Sequence, residues 1–352
     1  MSLTANFSAQ RDGFALDFSI DVEPGETVAV VGPSGAGKTT ALACLAGLLR
    51  PRNGAIRYGG STWFDTASGA FVPAHRRDVA MVFAGGALFG HLSGLGNAEF
   101  GLRAGGEEAH SARKKALDAL EIVGASHLAG RRASTLSAGE VQRVALARAV
   151  ALTPGVLLLD EPLSALDIRL RPLVRDALRK AIDATRAATV LVVHEPGEAL
   201  LFARRFVVLE DGKVKQSGEL AALREHPASG YVAAFAGVNF YRGLSRPLGD
   251  GSSVVLAGDG EVVVQGDYTG EISFTVDPDT VTLSAEAPHT SARNVFRGPV
   301  EEIAADRGAF RVTLSSSPPI TARVTAHSLS ALDIAAGVSL YAAFKAVEAR
   351  IL

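Results

Sequence analysis

Apolar and polar residues alternate from Phe14 to Val22, which predicts a half-buried strand closed by the turn Glu23-Pro24-Gly25-Glu26. Thr27–Val31 is a continuous apolar run, the pattern of a strand covered on both faces. A glycine-rich loop follows, then a helical stretch from Thr39 to about Leu49, ended by Arg50-Pro51. The region from about Leu92 to Leu152 is helix-rich, with helical apolar spacing over Ala112 to Val123 and Gly139 to Leu152. Val156–Asp160 reads as a second buried strand, Arg171–Thr185 as a helix and Ala188–Val193 as another strand. Strands alternating with helices in this way predict a mostly parallel α/β sheet.

Near Gly237 the pattern changes. Short alternating runs, among them Ser253–Leu256, Glu261–Val264, Ile272–Val276 and Phe310–Leu314, are separated by glycine-rich turns, which predicts a small all-β barrel. Asn239-Phe-Tyr-Arg-Gly243 is echoed by Asn294-Val-Phe-Arg-Gly298, which points to two copies of one β-unit. The expected division is therefore 1–236 and 237–352, with a helical subdomain at about 85–153 inside the first part.

Length and charge narrow the function. The 352 residues suffice for two domains, and a formal net charge of −2 offers no global positive field for nucleic acid. The single cysteine, Cys44, cannot form an internal disulfide and sits in an apolar helical stretch, as a packed thiol would. No uninterrupted apolar run is long enough for a membrane span, and Met1 to Gln10 lacks the form of a signal peptide. If the protein works at a membrane, another chain is expected to hold it there.

The chemistry lies in two places along the α/β part. Gly32-Pro33-Ser34-Gly35-Ala36-Gly37-Lys38-Thr39 fits the phosphate-loop pattern in full, between a predicted strand and a predicted helix, with Thr40 next. Its glycines let successive N–H groups face phosphate oxygens, and the helix start adds its positive end. Lys38 is suited to the β- and γ-phosphates, and the Thr39 hydroxyl to Mg²⁺. Asp160 and Glu161 stand at the carboxyl end of the strand Val156–Asp160, the edge where open α/β sheets bind ligands. Asp160 is the candidate for holding magnesium through water, and Glu161 for polarising the attacking water. The expected cofactors are ATP and Mg²⁺.

Leu136-Ser137-Ala138-Gly139-Glu140, just before a helix, resembles the LSGGQ signature of ABC ATPases. Pro162-Leu-Ser-Ala-Leu-Asp167 resembles that family's D-loop, and His194 follows a strand where its switch histidine is found. The resemblance covers about residues 1–235. It implies a P-loop NTPase core of ABC type, and a head-to-tail homodimer in which Ser137 and Gly139 contact ATP held by the opposite subunit. It further implies a γ-phosphate contact from His194, integral membrane permease subunits, and a periplasmic or surface substrate-binding protein. The expected location is the cytoplasmic face of the membrane, bound peripherally.

The sequence departs from that family at several points. Ala84 stands where a glutamine usually ligates magnesium and couples the nucleotide to the permease, and Gly90 where proline is usual. Ala138 and Val193 are milder departures. No tyrosine sits where the adenine ring is normally stacked; Arg11 or Phe14 could serve, although Phe14 also reads as a core residue. A hydrolysis-impaired regulatory cassette is thus one alternative, opposed by the retained Lys38, Asp160, Glu161 and His194.

The C-terminal region resembles the TOBE-type, OB-like barrels found after importer ATPases. In it, Thr290-Ser291-Ala292-Arg293-Asn294 and Ala343-Phe344-Lys345-Ala346 resemble the oxyanion-binding segments of molybdate- and tungstate-responsive barrels. Ser291, Arg293 and Lys345 can neutralise a tetrahedral dianion, or Arg293 and Lys345 are ordinary surface charges. The resemblance implies molybdate or tungstate as cargo, with sulfate, polyamine, iron or sugar as alternatives.

Overall fold

The computed structural model describes residues 1–352 except Asp12, Ala165, Ile168, His194 and Arg307. It divides into two compact units, Met1–Leu220 and Ala221–Leu352.

The first unit opens with a hairpin of β1 (Leu3–Arg11) and β2 (Phe14–Val22). The alternation seen in β2 is present in β1 as well, where Leu3, Ala5, Phe7 and Ala9 are buried. β3 (Thr27–Val31) is buried at every position, as its apolar run requires. The helix α1 (Lys38–Ala46) ends at Ala46 rather than near Leu49. Gly47 turns the backbone left-handed at φ +77°, and the N–H groups of Leu48 and Leu49 fold back to the Ala43 carbonyl. β4 (Asn53–Tyr58), β5 (Ser61–Asp65) and β6 (Ala70–Phe71) extend one edge antiparallel.

After β7 (Val79–Val82) come three helices, α2 (Gly94–Ala104), α3 (Ala109–Ile122) and α4 (Ala138–Ala151). The chain then returns through β8 (Val156–Asp160), α5 (Arg171–Thr185), β9 (Ala188–Val192), α6 (Pro196–Phe202), β10 (Arg205–Glu210) and β11 (Lys213–Glu219). α5 buries Val174, Ala177, Leu178 and Ala181, one stripe at helical spacing.

Among the described residues, eleven strands form one sheet in the order β6-β5-β4-β1-β2-β11-β10-β3-β9-β8-β7. Strands β10, β3, β9, β8 and β7 run parallel. β9 lies between β3 and β8, so the loop after β3 and the carboxylates ending β8 share one sheet edge. Cys44 is fully buried in the core against this sheet, and burial pushes its thiol up to about 12. That fits the packed, unreactive thiol expected of it.

Around the start of the second unit come α7 (Leu220–Glu225) and α8 (Gly230–Ala236), after which the unit is mostly β. Its strands are β12 (Asn239–Pro247), β13 (Ser252–Ala257), β14 (Gly260–Gln265), β15 (Gly270–Val276) and β16 (Thr282–Ser284). They continue as β17 (Asn294–Asp306), β18 (Ala309–Leu314), β19 (Ile320–Val324), β20 (Ser339–Phe344) and β21 (Ala349–Ile351), with α9 (Ala326–Ala331) after β19. The described strands make two sheets, β14-β13-β12-β15-β21 and β16-β20-β17-β18-β19, around one apolar core. Each sheet takes its last strand from beyond the other: β21 pairs with β15, and β16 with β20.

The five-residue echo has a physical reason. Asn294 accepts from the Val263 N–H at 2.7 Å and donates to the Val263 carbonyl at 2.8 Å. Asn239 does the same with Thr321, accepting at 2.8 Å and donating at 2.8 Å. Each asparagine opens the central strand of one sheet and pins an outer strand of the other. The closing glycines also recur for cause. A Cβ on Gly243 would lie 1.9 Å from the Leu256 carbonyl oxygen, and one on Gly298 2.6 Å from that of Ser315.

Candidate active site

β3 ends in a loop that only its glycines permit. Gly32 packs so closely that a Cβ there would lie 2.0 Å from the Leu209 carbonyl oxygen, and Gly37 begins α1 at φ +101°. The loop wraps the Lys38 ammonium, which donates to the carbonyls of Gly32 at 2.8 Å and Pro33 at 2.9 Å. Burial lowers the Lys38 pKa, opposed by the charges of Glu161 and Asp160. Thr39 Oγ1 donates to Asp160 Oδ1 at 3.3 Å, although the two are far apart in sequence.

Asp160 is buried at the end of β8, and Glu161 takes φ +48°, a left-handed backbone uncommon for a residue with a side chain. The Glu161 N–H donates to the Val192 carbonyl at 3.0 Å, which ties this turn to the end of β9. Strain of this kind is a mark of functional turns. Lys38, Thr39, Thr40, Ser34, Gly35 and Glu161 line one cavity of about 470 Å³. Arg11 and Phe14 line it too, and Phe14 is wedged under the loop, 2.8 Å from where a Gly37 Cβ would be. A hydroxyl and a buried carboxylate meeting beside a lysine fit a magnesium ion bound with a polyphosphate.

The Ser137-to-Glu140 segment begins α4 and does not line that cavity. Ser137 and Ala138 are exposed while Gly139 is buried. The Glu140 carboxylate turns back to accept the Ser137 N–H at 2.8 Å and pairs with Arg131 at 2.8 Å. These contacts, the Ser137 N–H first, hold its pKa below the usual carboxylate range. Glu140 is therefore bound up as a helix cap. Asp167 is exposed and accepts from the Arg169 N–H at 2.9 Å. His194 lies outside the described residues.

One buried carboxylate near this site was not singled out from the sequence. Glu198 on α6 pairs with Arg175 at 3.3 Å and Arg171 at 3.5 Å on α5. The only sequence signal was three charges on neighbouring helices.

In the β unit, Arg293 donates to Asp250 at 2.9 Å and to the Ser252 hydroxyl at 2.8 Å. Asn294 pairs with Phe344, so Arg293 and Lys345 stand at the same end of the β17–β20 ladder. Ser291 and Lys345 are exposed. No helix of the described residues is long and apolar enough to cross a membrane.

A mixed sheet whose parallel strands gather a phosphate loop and a strained Asp-Glu turn at one edge defines a nucleotide-hydrolysing protein of the P-loop class. Residues 16–164 match the ABC transporter family and residues 290–351 the TOBE domain. The molybdenum import ATP-binding protein ModC of Mycobacterium tuberculosis (strain ATCC 25618 / H37Rv) is 37% identical over 345 residues, covering 95% of this chain and 93% of the relative. The Fe(3+) ions import ATP-binding protein FbpC of Agrobacterium fabrum (strain C58 / ATCC 33970) is 41% identical over 273 residues, covering 76% and 75%. An ATP-binding cassette solved as a dimer in a post-hydrolysis state with ADP and Pi aligns at TM-score 0.52 and 27% identity, over 62% of this chain and 98% of that one. The chain belongs to the ABC transporter family: it is an importer-type ATP-binding subunit, an ATPase, followed by a C-terminal TOBE domain.

Proposed function

We propose that this subunit hydrolyses Mg-ATP between two head-to-tail copies of itself and so drives import of an oxyanion, molybdate or tungstate, through a separate permease. The observation that carries the motor half is the convergence of Lys38, Thr39 and Glu161 on one cavity, with Asp160 bonded to Thr39. Lys38 and the loop N–H groups bind the β- and γ-phosphates, and Gly32 to Thr40 cradle the polyphosphate. Thr39 and Asp160 would hold the magnesium, Asp160 by way of a water as expected from the sequence. Bound there, the ion offsets charge on the phosphates. Glu161, held at the turn by its bond to β9, orients and polarises the attacking water, with His194 as its partner at the γ-phosphate. Ser137 and Gly139 at the start of α4 contact the ATP of the opposite copy, with Ala138 and Glu140 shaping that turn and Asp167 facing the dimer seam.

The working division is 1–236 for the ATPase, with its helical subdomain at about 85–153, and 237–352 for the β part. Its partners are membrane permease subunits and an external substrate-binding protein, and its place is the cytoplasmic face of the membrane. Steady-state hydrolysis by the purified chain tests the motor. Glu161→Gln should lower kcat by about 100-fold or more while ATP still binds. A kcat within a fewfold of the parent overturns the assignment.

The oxyanion reading rests on Arg293 and Lys345 at one end of a ladder, and on similarity to a molybdenum importer over nearly the whole chain. Iron is the second reading, supported by the higher identity to an iron importer over a shorter span. Calorimetric titration of the intact chain with molybdate, tungstate, sulfate and ferric citrate separates them. Binding of molybdate that is lost in Arg293→Ala supports the first reading, and ferric binding alone overturns it.

A further inference from the structure

In the loop after β7 the Ala84 side chain carries no oxygen that could ligate a metal. The loop is instead fastened to α4. Gly85, Gly86 and Ala87 all take left-handed backbones, at φ +71°, +77° and +46°. This sharp turn presses Gly86 onto the helix, where a Cβ would lie 2.7 Å from Val141 Cγ1 and 3.3 Å from Ala145 Cβ. One turn further along the same face, the Arg148 guanidinium donates to the carbonyls of Gly86 at 3.0 Å and Ala87 at 2.9 Å. Its Cζ also lies over the Phe89 ring, 6.0 Å from the centroid. Asn97 on α2 holds the next segment, accepting from the Phe89 N–H at 2.8 Å and donating to its carbonyl at 3.1 Å.

We infer that Arg148 is a positioning residue that couples the 84–90 loop to the start of α4, so that the loop follows the ATP engaged by Ser137 and Gly139 rather than the ATP in its own phosphate loop. α4 is one uninterrupted helix, and the eleven steps from its cap Ser137 to Arg148 rise about 16 Å. A rigid element of that length carries a displacement at its first turn to its last, and the bidentate guanidinium passes it to the loop backbone. A side chain at Ala84 is not needed for this route. The inference rests on the proposed role of Ser137 and Gly139 at the ATP of the opposite copy.

Amide hydrogen exchange of the 84–90 segment in the full chain, with and without Mg²⁺ and a non-hydrolysable ATP analogue, tests both layers. In the parent, the analogue should slow exchange there. Ser137→Arg should abolish that slowing while a fluorescent ATP analogue still binds. Arg148→Met should abolish it too, with nucleotide affinity and KM within about threefold of the parent and kcat about tenfold lower. Arg148→Lys should keep part of the slowing, because a lysine donates but cannot form the fork. A merely structural arginine would change exchange equally with and without nucleotide. If Ser137→Arg keeps both hydrolysis and the slowing, the reading of α4 at the opposite ATP is wrong. If Ser137→Arg loses them but Arg148→Met slows as the parent does, the coupling through Arg148 alone is wrong. Should Arg148→Met not fold, Arg148→Lys decides: slowing equal to the parent overturns the coupling.

Discussion

Replacing Asn294 by aspartate removes the amide donor at a site that uses it. The side chain is 2% exposed and bridges both backbone groups of Val263, accepting at 2.7 Å and donating at 2.8 Å. An ionised aspartate keeps the acceptor but sets a negative oxygen against the Val263 carbonyl. One buried acceptor left without its donor costs about 1–3 kcal/mol, and the buried charge adds to it. The expected loss at pH 7 is about 3 kcal/mol, or roughly 10 °C in the midpoint of this unit. The pH dependence is the sharper part. Burial and the facing carbonyl raise the folded-state pKa of the new aspartate above its unfolded value near 3.9, so the folded state binds the extra proton. Protonated, the acid donates to the carbonyl as the amide did. The defect is therefore small at about pH 4 and grows as pH rises through the folded pKa. Asn294→Leu loses both bonds and should be equally destabilised at both pH values. Calorimetric unfolding of the full chain reads this out in the transition that Mg-ATP does not shift, since a ligand raises only the unit that binds it. An aspartate variant as stable as the parent at pH 7, or equally impaired at pH 4 and 7, refutes the reasoning.

Further outcomes follow from other contacts. Thr39→Val removes the hydroxyl that lies 3.3 Å from Asp160 and should raise the Mg²⁺ needed for half-maximal hydrolysis about tenfold; an unchanged magnesium titration would exclude Thr39 as a ligand. Ala84→Gln should raise transport-coupled hydrolysis in vesicles holding the permease, and an unchanged rate would show the position to be indifferent. The depressed pKa of Glu140 means that its contribution to stability is present above about pH 4.3 and is lost as pH falls through the folded value. Glu140→Gln should therefore flatten the midpoint-against-pH curve between about pH 5 and 3, and parallel curves for parent and variant would contradict the cap.

Function entered the sequence where the chemistry is local. Gly32 to Thr39 is legible because a phosphate loop is made of adjacent residues, each glycine answering a backbone demand of its own turn. The buried strands Thr27–Val31 and Val156–Asp160 were equally plain, since a run of apolar residues is its own signal. The end of α1 was not, because Gly47 and the apolar Leu48 and Leu49 look like helix until the left-handed turn is seen. The echo beginning at Asn239 and Asn294 was visible as a repetition, but its use was not: each asparagine bonds a strand of the other sheet.

What the sequence determined by itself was the class of chemistry: nucleotide binding at the end of β3, carboxylates at the end of β8, and an all-β region after residue 237. Only the tertiary structure decided which distant residues share work. It set Thr39 beside Asp160, turned Glu140 onto its own helix and Arg131, engaged Arg293 with Asp250, and laid the Arg148 fork on Gly86 and Ala87. The physical reason is that a turn or a strand is specified by residues in contact along the chain. A side chain that bonds a backbone sixty positions away has no local signature, and its partner is chosen only when the sheet and helices have packed.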